Sequence, residues 1–263
     1  MSLAEQIGEQ LPYLRRYARA LTGSQNSGDA FVRATLEAAL ADDKLRSQIG
    51  DGRAALYGAF TRIWSSGYVE ADAVAGSGVH EQAAQSRLSH ITPEHRQALL
   101  LTTLEDFSRE ETAEILGVEV GEVDALVRQA ITEIESETTT DVLIIEDEPL
   151  ISMQLEGLVS DLGHRVVGTA ATRTQALDIF AEKRAGLVLA DIQLADGSSG
   201  IDAVEDLLKF GDVPVIFITA YPERLLTGER PEPTYLVTKP FQEETVRAAI
   251  SQALFFGSSR PLS

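Results

Sequence analysis

The stretch VLIIEDEPL (142–150) decides the fold of the second half of the chain, because a short apolar run there ends in two adjacent acids. Three more short apolar runs in this half also end in polar residues. The four runs and their polar residues are VLII with Glu146 and Asp147, LVLA with Asp191, VIFIT with Thr219, and YLVT with Lys239 and Pro240. In an open α/β sheet the carboxyl ends of parallel strands meet at one crevice, so we expect these side chains to lie close together.

Amphipathic segments of helical periodicity lie between the apolar runs, and this alternation is typical of a parallel α/β sheet. The predicted strands are 142–145, 165–169, 187–190, 214–219 and 235–238. The helices predicted to follow them are 149–162, 173–183, 200–210, 222–227 and 242–255. Five such βα units predict a flavodoxin-like doubly wound sheet with the strand order 2-1-3-4-5.

The predicted crevice contains the carboxylates of Glu146, Asp147 and Asp191. These charges would repel one another and raise their pKa values unless a divalent cation lay between them. Oxygen ligands favour Mg²⁺, which keeps several waters and leaves room for a phosphate. The hydroxyl of Thr219 and the ammonium of Lys239 suit phosphoryl oxygens, so the pattern indicates a site where an aspartate is phosphorylated. The alternative is a doubly wound domain with ordinary polar strand ends.

These residues resemble the receiver domain of two-component response regulators over residues 142–255. That family carries an acidic pair after the first strand, an aspartate after the third, Thr or Ser after the fourth and Lys-Pro after the fifth. The resemblance implies that Asp191 accepts a phosphoryl group from a phosphohistidine. It also implies a Mg²⁺ site formed by Glu146, Asp147, Asp191 and the backbone carbonyl of Gln193.

The resemblance further assigns the residues around the phosphoryl group. Lys239 is expected to pair with Asp191 before phosphorylation and with a phosphoryl oxygen afterwards. Thr219 is expected to move toward the phosphate. The peptide bond between Lys239 and Pro240 is expected to be cis.

The aromatic residue that receivers usually use for switching is absent from its expected position. Three residues before the lysine this chain has Leu236. Tyr235 lies one position earlier, so strand alternation sends it to the other face of the sheet. Tyr221, two residues after Thr219, is the possible substitute, as in atypical receivers with a tyrosine there. For both tyrosines, plain packing remains the alternative to a switching role.

Apolar residues in the first half of the chain recur every three or four positions, which predicts helices. The predicted helices are 3–21, 28–40, 51–65, 93–104 and 120–135, with a short helix between Ser108 and Gly117. Thr92 and Pro93 are expected to begin the helix at 93–104, and Ser108-x-x-Glu111 to form a capping box. On helix 120–135, one apolar face is predicted: Val120, Val123, Leu126, Val127, Ala130, Ile131 and Ile134.

Two segments of this half resemble the small extracytoplasmic-function sigma factors. GSQNSGDAFVRATLEAAL (23–40) is similar to their region 2, and FSREETAEILGVEVGEVDALVRQAITEI (107–134) to their region 4. The resemblance implies an all-α sigma-like domain with a helix-turn-helix at 1–137, followed by a receiver at 138–263. Within the first domain we expect a region-2-like part (1–65), a partly flexible linker with some local helix (66–90) and a region-4-like part (91–137).

The net negative charge of the region-4-like part is unfavourable for DNA binding. Residues 92–137 contain three basic residues, Arg96, Arg109 and Arg128, and twelve acidic ones, a net charge of −9 (3 − 12). A recognition helix needs Lys and Arg to contact phosphates and base edges, whereas Asp124 stands where sigma factors usually carry lysine. Carboxylates placed against a duplex are repulsive, so we expect no direct DNA binding.

The domain order is the reverse of that in typical regulators, which place the receiver first and a DNA-binding output last. A sigma-like domain followed by a receiver resembles the PhyR-type general stress response regulators of alphaproteobacteria. The resemblance implies that phosphorylation of Asp191 exposes the sigma-like domain, which then sequesters a NepR-like anti-sigma factor and releases the true sigma factor. The implied phosphoryl donor is a sensor histidine kinase or a phosphotransfer protein.

Other interpretations stay open at this point. The acidic helices could form a solvated face on a module that supports the receiver. The chain could instead be a two-component transcription regulator that acts directly at promoters through residues 92–135. An enzymatic output is not expected, because His80, His90 and His95 come without paired acids or a nucleophile motif. The expected chemistry is limited to self-phosphorylation from a phosphodonor and slow dephosphorylation.

Composition sets the remaining expectations. The chain of 263 residues has 22 basic and 41 acidic residues, a formal charge of −19 that opposes general nucleic-acid binding. It has no cysteine, which excludes disulfides, thiol catalysis and zinc-thiolate sites. The start MSLAEQIGEQ is unlike a signal peptide, and no apolar run approaches the roughly 20 residues that span a bilayer. We therefore expect a soluble, cytoplasmic protein without membrane contact.

Overall fold

The structure of the protein is a computed structural model that describes residues 3–74, 93–135, 139–194, 197, 199–222 and 233–258. The chain divides into two compact units, Met1–Ala130 and Ile131–Ser263, and the division falls within the last helix of the N-terminal half. Among the described residues, no helix is both long enough and apolar enough to cross a membrane.

The described part of the N-terminal half consists of helices joined by short connections. They are α1 (Leu3–Thr22), α2 (Gln25–Ala41), α3 (Asp43–Ile49), α4 (Arg53–Val74), α5 (Glu94–Thr103), α6 (Arg109–Leu116) and α7 (Val120–Glu135). The predicted all-α character of this half is confirmed. The one described helix that was not predicted is α3.

Side-chain caps explain where the early helices begin. The hydroxyl of Ser24 accepts a hydrogen bond from the N–H of Ser27 (3.4 Å), so α2 starts three residues earlier than predicted. Asp42 caps α3 in the same way, because its carboxylate accepts from the N–H of Lys44 (2.8 Å). A single residue thus ends α2 and begins α3, which the apolar spacing did not reveal.

The predicted linker lies partly outside the described residues. The helix α4 continues to Val74, so the first residues of the stretch 66–90 are helical. Residues 75–92, which include His80, His90 and Thr92, are not described. At the next helix Pro93 occupies the N-cap position of α5 and not the first helical position, so that prediction was wrong by one residue.

The helices α6 and α7 form the predicted helix-turn-helix. The hydroxyl of Ser108 accepts from the N–H of Glu111 (3.1 Å), and the Glu111 carboxylate accepts from the N–H of Ser108 (2.8 Å), which is the predicted capping box. Gly117 ends α6 with φ of 74°, a left-handed conformation that favours glycine.

The apolar face predicted for α7 is only partly correct. Val123 is fully buried and Ala130 nearly so, but Val120 and Ile131 are each 42% exposed. Apolar spacing identified the helix correctly and overestimated the width of its buried stripe.

A buried carboxylate, Glu105, links three parts of the N-terminal unit. The guanidinium of Arg16 in α1 donates to its Oε1 at 3.0 and 2.9 Å. From α4, the guanidinium of Arg53 (2.6 Å) and the hydroxyl of Tyr57 (2.8 Å) donate to its Oε2. Arg53 also lies over the ring of Phe107, 4.2 Å from its centroid. This Glu105 cluster (Arg16, Arg53, Tyr57 and Glu105) connects α1 and α4 to the segment between α5 and α6.

The C-terminal unit is built on a five-stranded parallel sheet with the order β2-β1-β3-β4-β5, which confirms the predicted flavodoxin-like fold. The strands are β1 (Asp141–Ile145), β2 (Arg165–Ala170), β3 (Leu187–Ala190), β4 (Val215–Thr219) and β5 (Tyr235–Thr238). The helices are α8 (Pro149–Asp161), α9 (Arg173–Glu182), α10 (Gly200–Leu208) and α11 (Glu243–Ser258). The helix predicted at 222–227 lies outside the described residues except for Pro222.

The continuous apolar runs of the sequence follow from burial of the sheet on both faces. On one face a core cluster includes Leu143 and Val188 from the central strands, Phe180 from α9 and Leu207 from α10. Leu236 in β5 belongs to the same cluster. The hydrophobic core therefore fixes the positions of the strand ends at the carboxyl edge.

Candidate phosphoacceptor site

Backbone hydrogen bonds that continue past the strand ends hold the polar residues side by side. The N–H of Glu146 donates to the last carbonyl of β2, and the N–H of Asp191 donates to the last carbonyl of β1, each at 2.8 Å. The N–H of Lys239 donates to the carbonyl of Thr219 at the same distance. The register of the sheet thus places residues that are distant in sequence at one edge.

Lys239 is the centre of an ion cluster at this edge. Its ammonium donates to Glu146 Oε2 at 2.8 Å and to Asp191 Oδ2 at 2.8 Å. A third carboxylate, that of Glu148, lies 3.5 Å away. The side chains of Lys239, Glu146 and Asp191 are at most 9% exposed, whereas that of Glu148 is 62% exposed. The site is a buried pair of carboxylates around one ammonium, with a third carboxylate at its mouth.

The second oxygen of Asp191 is held by the backbone that follows it. Asp191 Oδ1 accepts from the N–H of Ile192 (2.5 Å) and from that of Gln193 (3.4 Å). The N–H of Gly200 donates to the carbonyl of Ile192 (2.7 Å), and Gln193 forms an antiparallel bridge with Ser199. The loop after β3 therefore fixes the orientation of the Asp191 carboxylate.

Gly200 allows this loop to close. A Cβ at position 200 would lie 1.7 Å from the carbonyl oxygen of Asp191 and 2.9 Å from its carbonyl carbon. Both atoms belong to the backbone and cannot turn aside, so only glycine fits at the start of α10. The sequence did not point to this residue, because a glycine at a helix start carries no signal of a close approach.

Three carboxylates in this part of the structure could hold a metal ion. Oxygens of Glu146, Glu148 and Asp191 all lie within 4.8 Å of one another. Asp147 is described and does not belong to this group, although it was predicted as a ligand. Glu148 was missed, and the signal that could have found it is the run of three acids at 146–148. An all-oxygen donor set of this kind suits a hard divalent cation.

Competing effects shift the pKa values of Glu146 and Lys239. Burial raises the pKa of Glu146 above its ordinary value, and the hydrogen bond and charge of Lys239 only partly oppose this. For Lys239, burial lowers the pKa, but hydrogen bonds to Asp191 and Glu146 outweigh burial and leave the pKa raised. The ammonium is thus held in its charged form by the two carboxylates.

The remaining predicted residues lie around this cluster. Thr219 is fully buried, and its hydroxyl accepts from the N–H of Tyr221 (3.2 Å). Tyr221 is 41% exposed. Tyr235 is buried, and its hydroxyl donates to the carbonyl of Gln252 in α11 (3.2 Å). The bond between Lys239 and Pro240 is cis, as predicted.

In the helix-turn-helix as described, exposed acids outnumber exposed basic residues. Arg96, in the preceding α5, is 4% exposed. Arg109 in α6 forms an ion pair with Asp124 in α7. The acids Glu110, Glu114 and Glu122 are exposed. The surface that would face a DNA duplex in a helix-turn-helix protein therefore presents carboxylates.

Comparison with known protein families covers most of the chain. Residues 7–61 match the sigma2 domain of PhyR, residues 88–137 match the sigma-like domain of the response regulator PhyR, and residues 142–251 match the response regulator receiver domain. The two sigma-related matches come first and the receiver match follows, which is the order of the resemblances found in the sequence.

Full-length relatives show the same combination. The phyllosphere-induced regulator PhyR of Methylorubrum extorquens is 56% identical over 260 residues, which is 98% of this chain and 97% of the relative. The crystal structure of the response regulator PhyR from Brucella abortus is 48% identical, with a TM-score of 0.84 over 98% of this chain and 96% of that one. The anti-anti-sigma factor PhyR from Bartonella quintana is 49% identical, with a TM-score of 0.83 over 98% of this chain and 97% of that one. The chain therefore belongs to the PhyR family of response regulators.

Proposed function

We propose that the protein is a phosphorylation-activated response regulator in which Asp191 is the phosphoacceptor. The observation that carries this proposal is the buried contact of Lys239 with Asp191 and Glu146 at the carboxyl edge of the sheet. A carboxylate kept beside a protonated amine, next to further acids, has the surroundings that phosphoryl transfer needs. The phosphoryl donor would be a phosphohistidine of a sensor histidine kinase or of a phosphotransfer protein.

The chemistry proposed for Asp191 is a displacement at phosphorus. An oxygen of Asp191 forms the new bond to phosphorus while the P–N bond of the phosphohistidine breaks, and the electron pair stays on the imidazole nitrogen. The site would bind Mg²⁺ through Glu146, Asp147, Asp191 and the backbone carbonyl of Gln193. The ion neutralises charge on the acids and on the transferring group. Beyond this phosphorylation and a slow dephosphorylation, we assign the protein no enzymatic activity.

The lysine and the threonine would serve the phosphorylated state. Lys239 would transfer its contact from the Asp191 carboxylate to a phosphoryl oxygen, which also accepts a charge-assisted hydrogen bond. Thr219 would turn its hydroxyl from the N–H of Tyr221 toward the phosphoryl group, and Pro240 would keep the lysine at the edge of the sheet. Of the two candidate switch residues, Tyr221 is 41% exposed, while Tyr235 is buried and its hydroxyl donates to α11.

We further propose residues 1–137 as the output domain and residues 138–263 as the receiver that controls it. The Bartonella quintana relative is an anti-anti-sigma factor and has been crystallised with the anti-sigma factor NepR. By analogy, phosphorylation would expose the sigma-like domain of this chain to a NepR-like anti-sigma factor, and the true sigma factor would be released. The acidic α6 and α7 support a protein partner over promoter DNA. To move this switch from 1:99 to 99:1, phosphorylation must favour the exposed state by about 5.5 kcal/mol.

The experiment that tests the proposal treats the full chain with Mg²⁺ and acetyl phosphate. The wild type is expected to gain the mass of one phosphoryl group and to bind a NepR-type protein more tightly. Asp191→Ala should show neither effect, whereas Asp178→Ala, an exposed acid on α9, should behave as the wild type. Stimulated binding in Asp191→Ala would overturn the switch. Sequence-specific, salt-sensitive promoter binding by the phosphorylated chain would favour the direct transcription regulator instead.

A further inference from the structure

Glu148 lies at the mouth of the pocket and does not cap the helix that it precedes. It occupies the N-cap position of α8, where a carboxylate ordinarily accepts an N–H of the first turn, yet its side chain makes no capping hydrogen bond. Its Oε1 lies 3.5 Å from the ammonium of Lys239. Its own N–H donates to Glu146 Oε1 (3.2 Å), which fixes its backbone beside the pocket. Both the position and the orientation of Glu148 are thus defined by the pocket.

The charge balance of the pocket depends on this residue. Glu146, Glu148 and Asp191 contribute three negative charges within 4.8 Å of one another, and Lys239 contributes one positive charge. The adjacent Asp147, a proposed Mg²⁺ ligand, adds a fourth carboxylate, so the net charge is −3 (1 − 4) and would be −2 without Glu148. An acid at this position therefore adds to the attraction that the pocket exerts on a divalent ion.

Glu148 differs from the two buried acids in being accessible to solvent. Glu146 and Asp191 are bound to Lys239 at 2.8 Å and must loosen these contacts before an ion can engage them. The side chain of Glu148 is 62% exposed, and its contact with the ammonium of Lys239 is longer, at 3.5 Å. It can reach a hydrated ion at the mouth of the pocket without breaking a buried hydrogen bond.

We propose that Glu148 is a further metal-binding residue of this pocket, which meets the incoming ion and remains beside Lys239 when the ion engages Glu146 and Asp191. This inference rests on the proposed function, because it requires the pocket to bind a divalent cation. It adds a carboxylate that the receiver resemblance did not assign.

The test is calorimetric titration of the full chain with Mg²⁺ alone, without a phosphodonor. Glu148→Gln keeps the size of the side chain and removes its charge, and it is expected to weaken Mg²⁺ binding about 10-fold. Glu182→Gln is the matched control, since it removes one exposed acid at the far end of α9, near the amino ends of the strands. It should leave the affinity unchanged. Glu148→Asp, which restores the charge on a shorter side chain, should recover part of the loss.

The outcomes separate this inference from the proposed function. If Glu146→Gln weakens Mg²⁺ binding while Glu148→Gln matches the Glu182→Gln control, the assignment of Glu148 is overturned and the pocket stands. If the wild-type chain does not bind Mg²⁺, the pocket itself is overturned, and the assignment of Glu148 with it. Thermal unfolding without Mg²⁺ should be the same for Glu148→Gln and the wild type, which shows that the exposed substitution leaves the fold intact.

Discussion

Two buried clusters of charge, one in each unit of the chain, show how differently a carboxylate can be used. In the Glu105 cluster one carboxylate accepts from two guanidiniums and a phenol, and its side chain is fully buried. In the pocket around Asp191 three carboxylates share one ammonium, and one of them faces solvent. Both clusters bring together residues that are distant in sequence. The first has a net charge of +1 (2 − 1) around one fully buried carboxylate, whereas the second has an excess of carboxylates, one of which faces solvent.

The difference teaches that burial and ion pairing alone do not mark a functional site. A closed cluster with its hydrogen bonds satisfied contributes to a single arrangement of helices. A cluster with more carboxylates than cations, one of them open to solvent, has the capacity to bind a further cation. By this criterion the Glu105 cluster has a structural role, and the pocket around Asp191 has a chemical role.

Removing the acid of the structural cluster should have the largest effect on stability. Glu105→Ala leaves the buried Arg16 and the partly buried Arg53 without their carboxylate, which costs about 3–5 kcal/mol. Trp64 is the one tryptophan of the chain and is buried in α4, so its fluorescence during urea unfolding reports on the N-terminal unit. Under native conditions the same variant should still be phosphorylated at Asp191. A loss below about 1 kcal/mol, the range of exposed pairs, would contradict the structural assignment.

Tyr57→Phe should have the next largest effect, because it removes a hydrogen bond to a charged group, worth about 1.5–3 kcal/mol. Burial, and then the charge of Glu105, raise the pKa of Tyr57 well above its ordinary value of 10.0. The stabilisation is therefore complete below pH 10. It decreases above that pH, where the unfolded tyrosine ionises first, by up to about 1.4 kcal/mol per pH unit.

The raised pKa of Tyr57 predicts a measurable pH dependence of stability. The difference in unfolding free energy between wild type and Tyr57→Phe should be largest at about pH 8 and should shrink by about pH 11. Urea unfolding followed by Trp64 fluorescence at both values measures it. Tyr17, whose pKa burial also raises, is present in both proteins and cancels in the difference. A difference that grows with pH would show that the sign of the Tyr57 shift is wrong.

Gly200→Ala tests the chemical cluster through its backbone. The new Cβ would displace the carbonyl of Asp191, with an expected cost of about 1–3 kcal/mol as in other overpacked sites. Hydrogen exchange of the β3 amides measures the loss, and phosphorylation by acetyl phosphate should slow because the Asp191 carboxylate shifts. Gly157→Ala is the control, since nothing lies within 4 Å of its Cβ. Gly157→Ala should raise the free energy of unfolding by up to about 1 kcal/mol, because alanine is the better helix former. Equal behaviour of the two variants would refute the close approach at Gly200.

The smallest effect is expected at the exposed ion pair of the helix-turn-helix. Arg109 and Asp124 have side chains that are 62% and 42% exposed, so solvent screens their attraction. Arg109→Ala should leave the urea midpoint of the Trp64 transition unchanged within error. A shift as large as that of Tyr57→Phe would show that this surface pair acts like the buried cluster.

Much of the C-terminal unit was predictable from the sequence, because its strands are continuous apolar runs that end in distinctive polar residues. The predicted bounds of all five strands agree with the structure within one residue at each end. The convergence of Lys239 and Asp191 at one edge of the sheet follows from the strand order, and their pairing was implied by the resemblance to receivers. Glu148 was not among the predicted ligands. The run of three acids at 146–148 indicates an acidic site, but it does not show toward which side the Glu148 side chain turns.

The Glu105 cluster lay beyond sequence reasoning for a different reason. Arg16 and Glu105 are separated by 89 positions, and neither belongs to a repeating pattern. The apolar spacing of α1 and α4 finds the helices but not the polar residues by which they pack. Partners of this kind become visible only when the fold brings the segments together.

The Glu105 cluster has a consequence for chimeric proteins. Arg16, Arg53 and Tyr57 lie within the segment that matches the sigma2 domain (7–61), and Glu105 lies within the segment that matches the sigma-like domain (88–137). Exchanging one segment with a relative that lacks the matching partner would bury an unpaired charge. The two segments, although recognised as separate families, must therefore be inherited and engineered as one piece.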